Sequence, residues 1–167
     1  MTEQQRVYLA AGTNLGDREH NLRRALQTLP PQVAILAVSR LYETAPAYVV
    51  DQPSFLNIAL AGRTALAPDD LLTYLKEIEA SLGREKAIRF GPRQLDLDII
   101  FYNDRIIDEP HLKIPHPRLA ERGFVLRPLV DIAPDFVHPV LKQTLVELAT
   151  QLPPDDGILS AVDWQPL

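Results

Sequence analysis

The pattern of apolar and polar positions predicts alternating strands and helices in the first half of the chain. Residues 7–11 form a short apolar run, as in a buried strand. Residues 18–29 repeat apolar side chains at helical spacing, and Asp17 is placed to cap this helix. Residues 33–43 and 55–64 are predicted to be two further strands, separated by a proline-bearing loop.

The same pattern continues beyond this loop with a helix and a strand. Pro68 suits the first turn of a helix whose apolar stripe extends to about residue 82. Residues 95–102 form the next strand, and Asn103-Asp104 is predicted to make a hairpin turn into residues 105–107. A last helix near residues 144–152 opens with a possible capping box, while residues 153–167 give no prediction.

The order of these elements indicates one α+β domain. Strand, helix, strand, strand, helix, strand is the split βαβ arrangement of ferredoxin-like folds, with a mainly antiparallel sheet, helices packed on it and long mobile loops. The sequence shows neither an internal repeat nor a linker. We therefore expect a single domain over residues 1–167, with its core at about 6–150.

The strand at residues 95–102 carries the sharpest candidate site. Side chains alternate along a strand, so Asp96 and Asp98 share one face, with Cα atoms roughly 6–7 Å apart. The opposite face is predicted to enter the core and consists of Leu95, Leu97, Ile99 and Phe101. Two adjacent carboxylates are either solvated on a wet face or held together by a cation. Mg²⁺ is commonly bound by one or two carboxylates together with substrate phosphates.

Charge and composition favour a small anionic ligand. The net charge is −5, which argues against a general nucleic-acid binder. Arg84, Lys86, Arg89 and Arg93 nevertheless cluster in a glycine- and proline-bearing loop, where guanidinium groups suit phosphate unless the loop is merely solvated. The chain lacks cysteine and has no apolar run of membrane-spanning length. We expect a cytoplasmic protein with no membrane partner.

Three further positions each allow two interpretations. Glu79 lies on or beside the buried stripe of its helix, so it either meets a donor or cation or reaches water at the edge. His116 stands between two prolines that would fix it, although a single histidine is weak support for a site. Phe124 either offers a flat face to an aromatic ligand or is an ordinary core residue. No P-loop or G-x-G-x-x-G motif is present.

Several motifs together resemble a known family. The run Arg89-Phe90-Gly91-Pro92-Arg93-Gln94-Leu95-Asp96-Leu97-Asp98-Ile99-Ile100 resembles the signature of 6-hydroxymethyl-7,8-dihydropterin pyrophosphokinase. The likeness extends over roughly residues 6–150 and includes Gly12-Thr13-Asn14-Leu15-Gly16, Tyr42-Glu43-Thr44-Ala45-Pro46, Gln52-Pro53-Ser54-Phe55-Leu56-Asn57, Pro115-His116 and Arg122-Gly123-Phe124.

The resemblance implies a reaction and a set of residue roles. Pyrophosphate would pass from ATP to the hydroxymethyl group of 6-hydroxymethyl-7,8-dihydropterin in folate synthesis, with AMP released. Asp96 and Asp98 would hold two Mg²⁺ ions. The implied catalytic residues are Arg84, Arg93, Asp96 and Asp98. The implied ATP contacts are Glu79, Lys86, Arg84, Arg93, Ile99, His116 and Arg122. The implied pterin contacts are Thr44, Pro46, Phe55, Asn57, Phe124 and Asp96.

The resemblance also leaves differences and alternatives. Phe90 stands where the family commonly has tryptophan, and Lys86 replaces a frequent arginine. Loops around residues 45–54 and 83–94 would close over the substrates, and a monomer is expected. A different Mg²⁺-dependent nucleotidyl or glycosyl transferase is the enzymatic alternative. A ferredoxin-like RNA-binding module is the non-enzymatic one, although paired aspartates on the sheet would repel RNA.

Overall fold

The computed structural model of the chain describes residues 3–46, 51–82 and 95–167. The strands are β1 (Gln5–Thr13), β2 (Val33–Val38), β3 (Leu41–Thr44), β4 (Phe55–Thr64), β5 (Asp96–Tyr102), β6 (Ile107–Glu109), β7 (Leu112–Ile114) and β8 (Ile158–Val162). The helices are α1 (Arg18–Thr28), α2 (Pro68–Ser81), α3 (Gly123–Ile132) and α4 (Leu145–Thr150), and a 3-10 turn covers Leu119–Glu121.

The main sheet has the order β5-β1-β4-β3-β8, with β2 also paired to β4. Each of these pairings is antiparallel. Strands β6 and β7 form a separate two-stranded ribbon. The mixed α+β architecture with a mainly antiparallel sheet confirms the fold class expected from the order of elements. None of the helices in the described ranges has the length and apolar character that a bilayer crossing needs.

Helices cover both sides of the sheet. On one side, the α1–α2 face, side chains such as Leu9, Ile58 and Leu97 pack against helices α1 and α2. On the other, the α3–α4 face, Tyr8 and Ala59 join a second apolar cluster with helices α3 and α4. Since strand residues alternate between the two sides, every central strand contributes to both clusters.

Capping predicted from the sequence is present at two helices. The Asp17 carboxylate accepts the His20 N–H at 3.1 Å at the start of α1. Thr144 and Glu147 form a complete capping box at α4, in which each side chain accepts the other residue's backbone N–H. Local hydrogen bonds of this kind depend on residues three apart, which explains why the sequence alone identifies them.

The predicted strand at residues 33–43 is wrong as a single element, because the chain breaks it at Ser39. Strand β2 pairs with the distal part of β4, and β3 pairs with residues 55–57 at its start. At the break, the Ser39 hydroxyl accepts the Ala59 N–H at 2.9 Å, and the Ser39 N–H donates to the Ala59 carbonyl at 2.9 Å. The serine side chain thus replaces a backbone partner of β4.

The predicted hairpin after β5 is also wrong. A turn does follow β5, with Arg105 N–H donating to the Tyr102 carbonyl at 3.0 Å. Asn103, however, binds the backbone of Arg6, donating its N–H to the carbonyl at 2.7 Å and accepting the Arg6 N–H at 2.9 Å. These bonds hold Asn103 against β1. The following segment, β6, therefore pairs with β7 instead of returning along β5.

A β-bulge corrects the predicted faces of β5. Ile99 pairs with Leu9 while Phe101 pairs with the adjacent Tyr8, so Ile100 is the extra residue. Ile99 keeps its predicted place on the α1–α2 face, but Phe101 packs with the α3–α4 cluster. The expectation that Phe101 shares a face with Leu95, Leu97 and Ile99 is therefore wrong. The bulge reverses the alternation after Ile99.

Candidate active site

Asp96 and Asp98 project from β5 onto the α3–α4 face, at the end of the sheet opposite the Ile100 bulge. Asp96 lies opposite Gly12 of β1, and Asp98 lies opposite Ala10. Gly12 is in turn opposite Asn57 of β4. Directly paired residues point to the same side of a sheet, so Asp96 and Asn57 face the same space with only Gly12 between them. Both aspartates are half-buried.

Gly12 keeps this space open. A Cβ atom at Gly12 would lie 2.5 Å from Oδ1 of Asn57, so any side chain there would displace the Asn57 amide. The Asn57 amide therefore leans over the glycine, toward the row that holds Asp96. In the sequence, Gly12 stands out only as the first residue of the motif at residues 12–16. A glycine inside a strand, where it marks a close approach, was the signal for this role.

The surroundings of Asp98 disfavour its ionised form. Burial, and next the neighbouring Asp96 carboxylate, raise the pKa of Asp98 well above the ordinary aspartate value. Lys76 and Arg122 act in the opposite direction. An oxygen-only pair that is costly to ionise together has the ligand chemistry that a hard divalent cation satisfies. The donor set therefore fits Mg²⁺.

Glu79 of α2 bonds to the backbone of β5. Its side chain on α2 is buried, with 1% relative exposure. One carboxylate oxygen accepts the Leu97 N–H at 2.7 Å, and the other lies 3.2 Å from Nζ of Lys76. The interpretation that Glu79 reaches water at the edge of its helix is therefore wrong. The carboxylate instead holds the backbone of the residue that separates Asp96 from Asp98.

His116 and Arg122 lie beside the same strand. The His116 N–H donates to the Ile100 carbonyl at 3.1 Å. Burial, followed by the positive charge of Arg122, lowers the pKa of His116 to about 4. The imidazole is therefore neutral at physiological pH. Its Nδ1 atom is buried without a hydrogen-bond partner in the described part of the chain. Arg122 also places its guanidinium 5.6 Å from the ring centroid of Phe124.

The candidate pterin residues come from neighbouring elements of the same face. Asn57 donates its side-chain N–H to the Thr44 hydroxyl at 2.7 Å, and Thr44 pairs with Phe55 across β3 and β4. Phe124 lies in the first turn of α3 and is half-buried at the rim of the α3–α4 cluster. Pro46 is half-buried just beyond β3. Thr44, Phe55 and Asn57 are therefore neighbours, and Phe124 lies on the same side of the sheet.

A polar network that the sequence analysis did not identify holds the loop next to these residues. Arg18 donates to the Glu43 carboxylate at 3.3 Å and to the Ser54 carbonyl at 3.1 Å. The Ser54 hydroxyl donates to Glu43 at 2.6 Å, and this bond together with Arg18 lowers the pKa of Glu43. Asn14 donates to the Pro53 carbonyl at 3.0 Å. Three of the quoted motifs, at residues 12–16, 42–46 and 52–57, thus meet here, which no local pattern indicates.

Some predicted ATP contacts cannot be placed. Arg84, Lys86 and Arg93 lie outside the described residues. The same holds for residues 47–50 of the first predicted lid loop and for all of the second, residues 83–94, which includes Phe90. Ile99 is 4% exposed and packs in the α1–α2 cluster, so its side chain faces away from the aspartates. Any contact of Ile99 with a nucleotide would use its backbone.

A separate group of potential ligands is exposed on the surface. Ligand atoms of Asp69, Glu109 and His111 all lie within 4.8 Å of one another. His111 Nε2 is 2.9 Å from Asp69 and 3.5 Å from Glu109. The hydrogen bond between the imidazole and Asp69, with Glu109 beside it, accounts for the arrangement. The group links the start of α2 to the β6–β7 ribbon.

The sequence matches a described family and its curated relatives. The profile of 7,8-dihydro-6-hydroxymethylpterin-pyrophosphokinase (HPPK) matches residues 8–134. The 2-amino-4-hydroxy-6-hydroxymethyldihydropteridine pyrophosphokinase of Pseudomonas aeruginosa is 44% identical over 137 residues, covering 81% of this chain and 85% of that protein. The enzyme of the same name from Aquifex aeolicus is 38% identical over 141 residues, covering 84% and 88%.

Longer proteins also match. The folic acid synthesis protein FOL1 of Dictyostelium discoideum is 47% identical over 147 residues, which are 88% of this chain but 22% of that protein. The chain thus spans about a fifth of the length of such relatives. A crystal structure of Plasmodium falciparum HPPK-DHPS with pteroate has a TM-score of 0.74 at 20% identity, covering 90% of this chain and 43% of that one. This likeness supports the fold, and the profile match together with the bacterial relatives shows that the chain belongs to the HPPK family.

Proposed function

We propose that the chain transfers pyrophosphate from ATP to the hydroxymethyl group of 6-hydroxymethyl-7,8-dihydropterin, releasing AMP, as a step of folate synthesis. Family membership supports the reaction. The observation that carries it is the row of Asp96, Gly12 and Asn57 across three strands. It places a carboxylate pair suited to Mg²⁺ next to an amide suited to the hydrogen-bonding edge of a heterocycle. A phosphate site and a pterin site would then share one wall.

Asp96 and Asp98 are proposed to bind Mg²⁺, with two ions present when ATP is bound. The metal would neutralise triphosphate charge. Arg122 adds positive charge on the same side, as its effect on the pKa of both Asp98 and His116 indicates. His116, neutral and fixed beside β5, is proposed to donate a hydrogen bond to the triphosphate. Arg84, Lys86 and Arg93 would complete the ATP site, with Arg84 and Arg93 stabilising the group in transfer.

The pterin is proposed to lie between Phe55 and Phe124, with its polar edge toward Asn57 and Thr44. The bond between Asn57 and Thr44 fixes the amide, so its oxygen is held above Gly12 before any ligand arrives. Backbone groups near Pro46 and the Asp96 carboxylate would contact the remaining polar atoms. This arrangement would orient the hydroxymethyl group toward the aspartates.

In the proposed reaction, the hydroxymethyl oxygen attacks the β-phosphorus of ATP, and the bond from that phosphorus to the α–β bridging oxygen breaks. The bridging oxygen leaves with AMP, the hydroxymethyl group releases its proton to solvent, and the pyrophosphate stays on the pterin. Such phosphoryl-type transfers depend on in-line positioning and charge stabilisation more than on covalent catalysis by the protein. The residues of this chain would therefore bind, orient and exclude water.

An assay that detects AMP from ATP and the hydroxymethyl pterin tests the proposal. We expect AMP formation that requires both the pterin and Mg²⁺ and is lost in excess EDTA. Asp96→Ala should remove nearly all activity, while Asp104→Ala, an exposed turn position just beyond the same strand, should keep it. Near-normal activity of Asp96→Ala in a folded protein would contradict the metal role. Absence of AMP with the wild-type protein would contradict the proposed function.

A different Mg²⁺-dependent transferase is the second candidate, since paired aspartates also suit other nucleotides. Calorimetry separates the two: we expect tight pterin binding only when Mg²⁺ and a non-hydrolysable ATP analogue are present. Nucleotide binding without any pterin binding would favour the alternative.

The remaining expectations concern the state of the protein. A monomer that works in the cytoplasm and binds neither nucleic acid nor membrane is expected. Sedimentation at assay concentration measures the oligomeric state. A stable dimer would contradict it.

A further inference from the structure

The C-terminal segment, residues 153–167, contacts both α3 and the end of β3, two elements that carry proposed pterin contacts. The matched HPPK segment ends at residue 134, so this segment lies beyond it. Its turn, Asp156-Gly157, leads into β8, which pairs with β3. We propose that this turn is a strut that sets the spacing between the start of α3, which carries Phe124, and the segment after β3. Asp156 is then a positioning residue for pterin binding, an inference that rests on the proposed function.

One contact of the strut is with α3. The Asp156 side chain is 11% exposed, and its carboxylate accepts from Nε of Arg127 at 2.9 Å. Gly123, which precedes Phe124, lies directly against it. A Cβ atom at Gly123 would be 2.8 Å from Cβ of Asp156 and 3.0 Å from its backbone carbonyl oxygen. The first turn of α3 therefore packs on Asp156 with no room for a larger residue.

The other contact is with the segment that follows β3. The Gly157 carbonyl accepts the Ala45 N–H at 2.8 Å, and Ile158 pairs with Thr44. The second carboxylate oxygen of Asp156 accepts the Ile158 N–H at 3.2 Å, which fixes the turn. Consecutive residues thus hold Phe124 on one side and Thr44 on the other. Among the described contacts, the Asp156 carboxylate bonds both to Arg127 of α3 and to the backbone of Ile158, which pairs with Thr44.

The strut is expected to affect pterin binding without affecting nucleotide binding. The triphosphate residues Asp96, Asp98 and His116 belong to β5 and the segment beside it, and none of them contacts Asp156 in the described hydrogen bonds. Loss of the carboxylate should therefore change the pterin site while the nucleotide site keeps its shape. If Asp156 had only a structural role, its loss would weaken the binding of both substrates alike, in proportion to the loss of folded protein.

Matched variants of the full chain provide the test. Asp156→Asn keeps the volume but removes the charge, and Arg127→Gln removes the partner. Arg127→Lys retains a cation and serves as the conservative rescue. Asp155→Asn, an exposed neighbour, is the control. Calorimetry would measure the dissociation constants of an ATP analogue with Mg²⁺, and of the pterin in its presence. Hydrogen exchange would report on residues 44–46 and 122–127.

We expect Asp156→Asn and Arg127→Gln to weaken pterin binding by about tenfold, a change of about 1.4 kcal/mol. ATP-analogue binding should stay within about twofold, and Arg127→Lys should restore most of the loss. Amide exchange should accelerate in both segments. Equal weakening of both ligands, unchanged pterin binding, or failure of Arg127→Lys to rescue would overturn the strut. A wild-type protein that binds no pterin would instead contradict the proposed function, while exchange would still show whether Asp156 holds the two segments.

Discussion

The two faces of the sheet use the same strands for different purposes. The α1–α2 face is mainly apolar, with fully buried side chains such as Leu9 and Leu60 of the sheet packed with Leu75 of α2. Its polar contacts include the pair of Arg18 and Glu43. The α3–α4 face is apolar only at one end. At the other it carries Asp96 and Asn57, with glycine between them. The α1–α2 face therefore contributes mainly to stability, whereas the α3–α4 face buries less apolar surface and carries the candidate site.

The comparison shows where this protein accommodates costly groups. A carboxylate pair on a half-buried surface disfavours its own ionised form, as the raised pKa of Asp98 indicates. Continuous hydrophobic burial on the opposite side offsets this cost, at roughly 25 cal/mol per Å² of apolar surface. Substitutions on the α3–α4 face near Asp96 should thus affect activity, and those on the α1–α2 face should affect stability.

The largest expected effect is at Asp98. Asp98→Asn should lower AMP formation by about 10³-fold or more, because a neutral amide is a poor ligand for Mg²⁺. It should leave thermal stability unchanged or raise it. The pKa of Asp98 is higher in the folded than in the unfolded protein. The stability that its protonated form contributes is therefore lost as the pH rises above the pKa of the unfolded protein and through that of the folded one. Without metal, the thermal stability of the variant should therefore exceed that of the wild type most near pH 8. Equal loss of stability and activity would break the distinction between the faces.

Leu75→Ala tests the opposite face. Leu75 is fully buried on α2, and its truncation should lower the free energy of unfolding by about 3 kcal/mol. Activity per folded molecule should stay within about twofold of wild type. Leu36→Ala, at a leucine that is 42% exposed, is the matched control and should change stability little. Chemical denaturation measures both. A loss of turnover by folded Leu75→Ala would show that the faces are coupled.

Glu79 tests that coupling directly, because it belongs to α2 yet holds the backbone between the aspartates. Glu79→Gln should destabilise by about 1–2 kcal/mol, since the bond from Leu97 N–H loses its charged acceptor. It should also lower kcat more than it raises KM for ATP. Glu77→Gln, exposed on the same helix, is the control. Wild-type kinetics in a destabilised Glu79→Gln protein would confine this glutamate to a structural role.

The smallest effect is expected at the covered end of the α3–α4 face. His138 accepts the Val140 and Leu141 N–H groups at Nδ1, at 3.1 and 3.0 Å, and burial lowers its pKa. A depressed histidine pKa stabilises the fold above the unfolded value, near 6.5, and this contribution is lost as pH falls. His138→Gln should lose less thermal stability than wild type between pH 7 and 5. An unchanged slope in His138→Gln would contradict this assignment.

The sequence predicted what short-range patterns determine. The period of two placed Asp96 and Asp98 together, and Asp17 marked the start of α1. The bulge at Ile100 was hidden because Ile99 through Tyr102 are all apolar, so alternation leaves no trace there. Helix α3 was missed because Pro128 lies inside it, where proline normally argues against a helix.

Features that depend on the register between distant strands could not be predicted from the sequence. That Gly12 separates Asp96 from Asn57 follows from two pairings, neither of which has a local pattern. Pairing of β8 with β3 likewise joins segments more than a hundred positions apart. The family resemblance supplied roles for individual residues, but it did not supply these spatial relations. The candidate ligands therefore remain proposals from the sequence, whereas the spatial relations between them come from the structure.

The bond from Leu97 to Glu79 has a consequence for solubility. Strand β5 lies at the edge of the sheet, and exposed edges recruit strands from other molecules into aggregates. Glu79 occupies the Leu97 N–H and His116 occupies the Ile100 carbonyl. An incoming strand would have to displace a buried carboxylate to extend the sheet on this side. The groups that support the candidate site thus also protect the chain from edge-to-edge assembly.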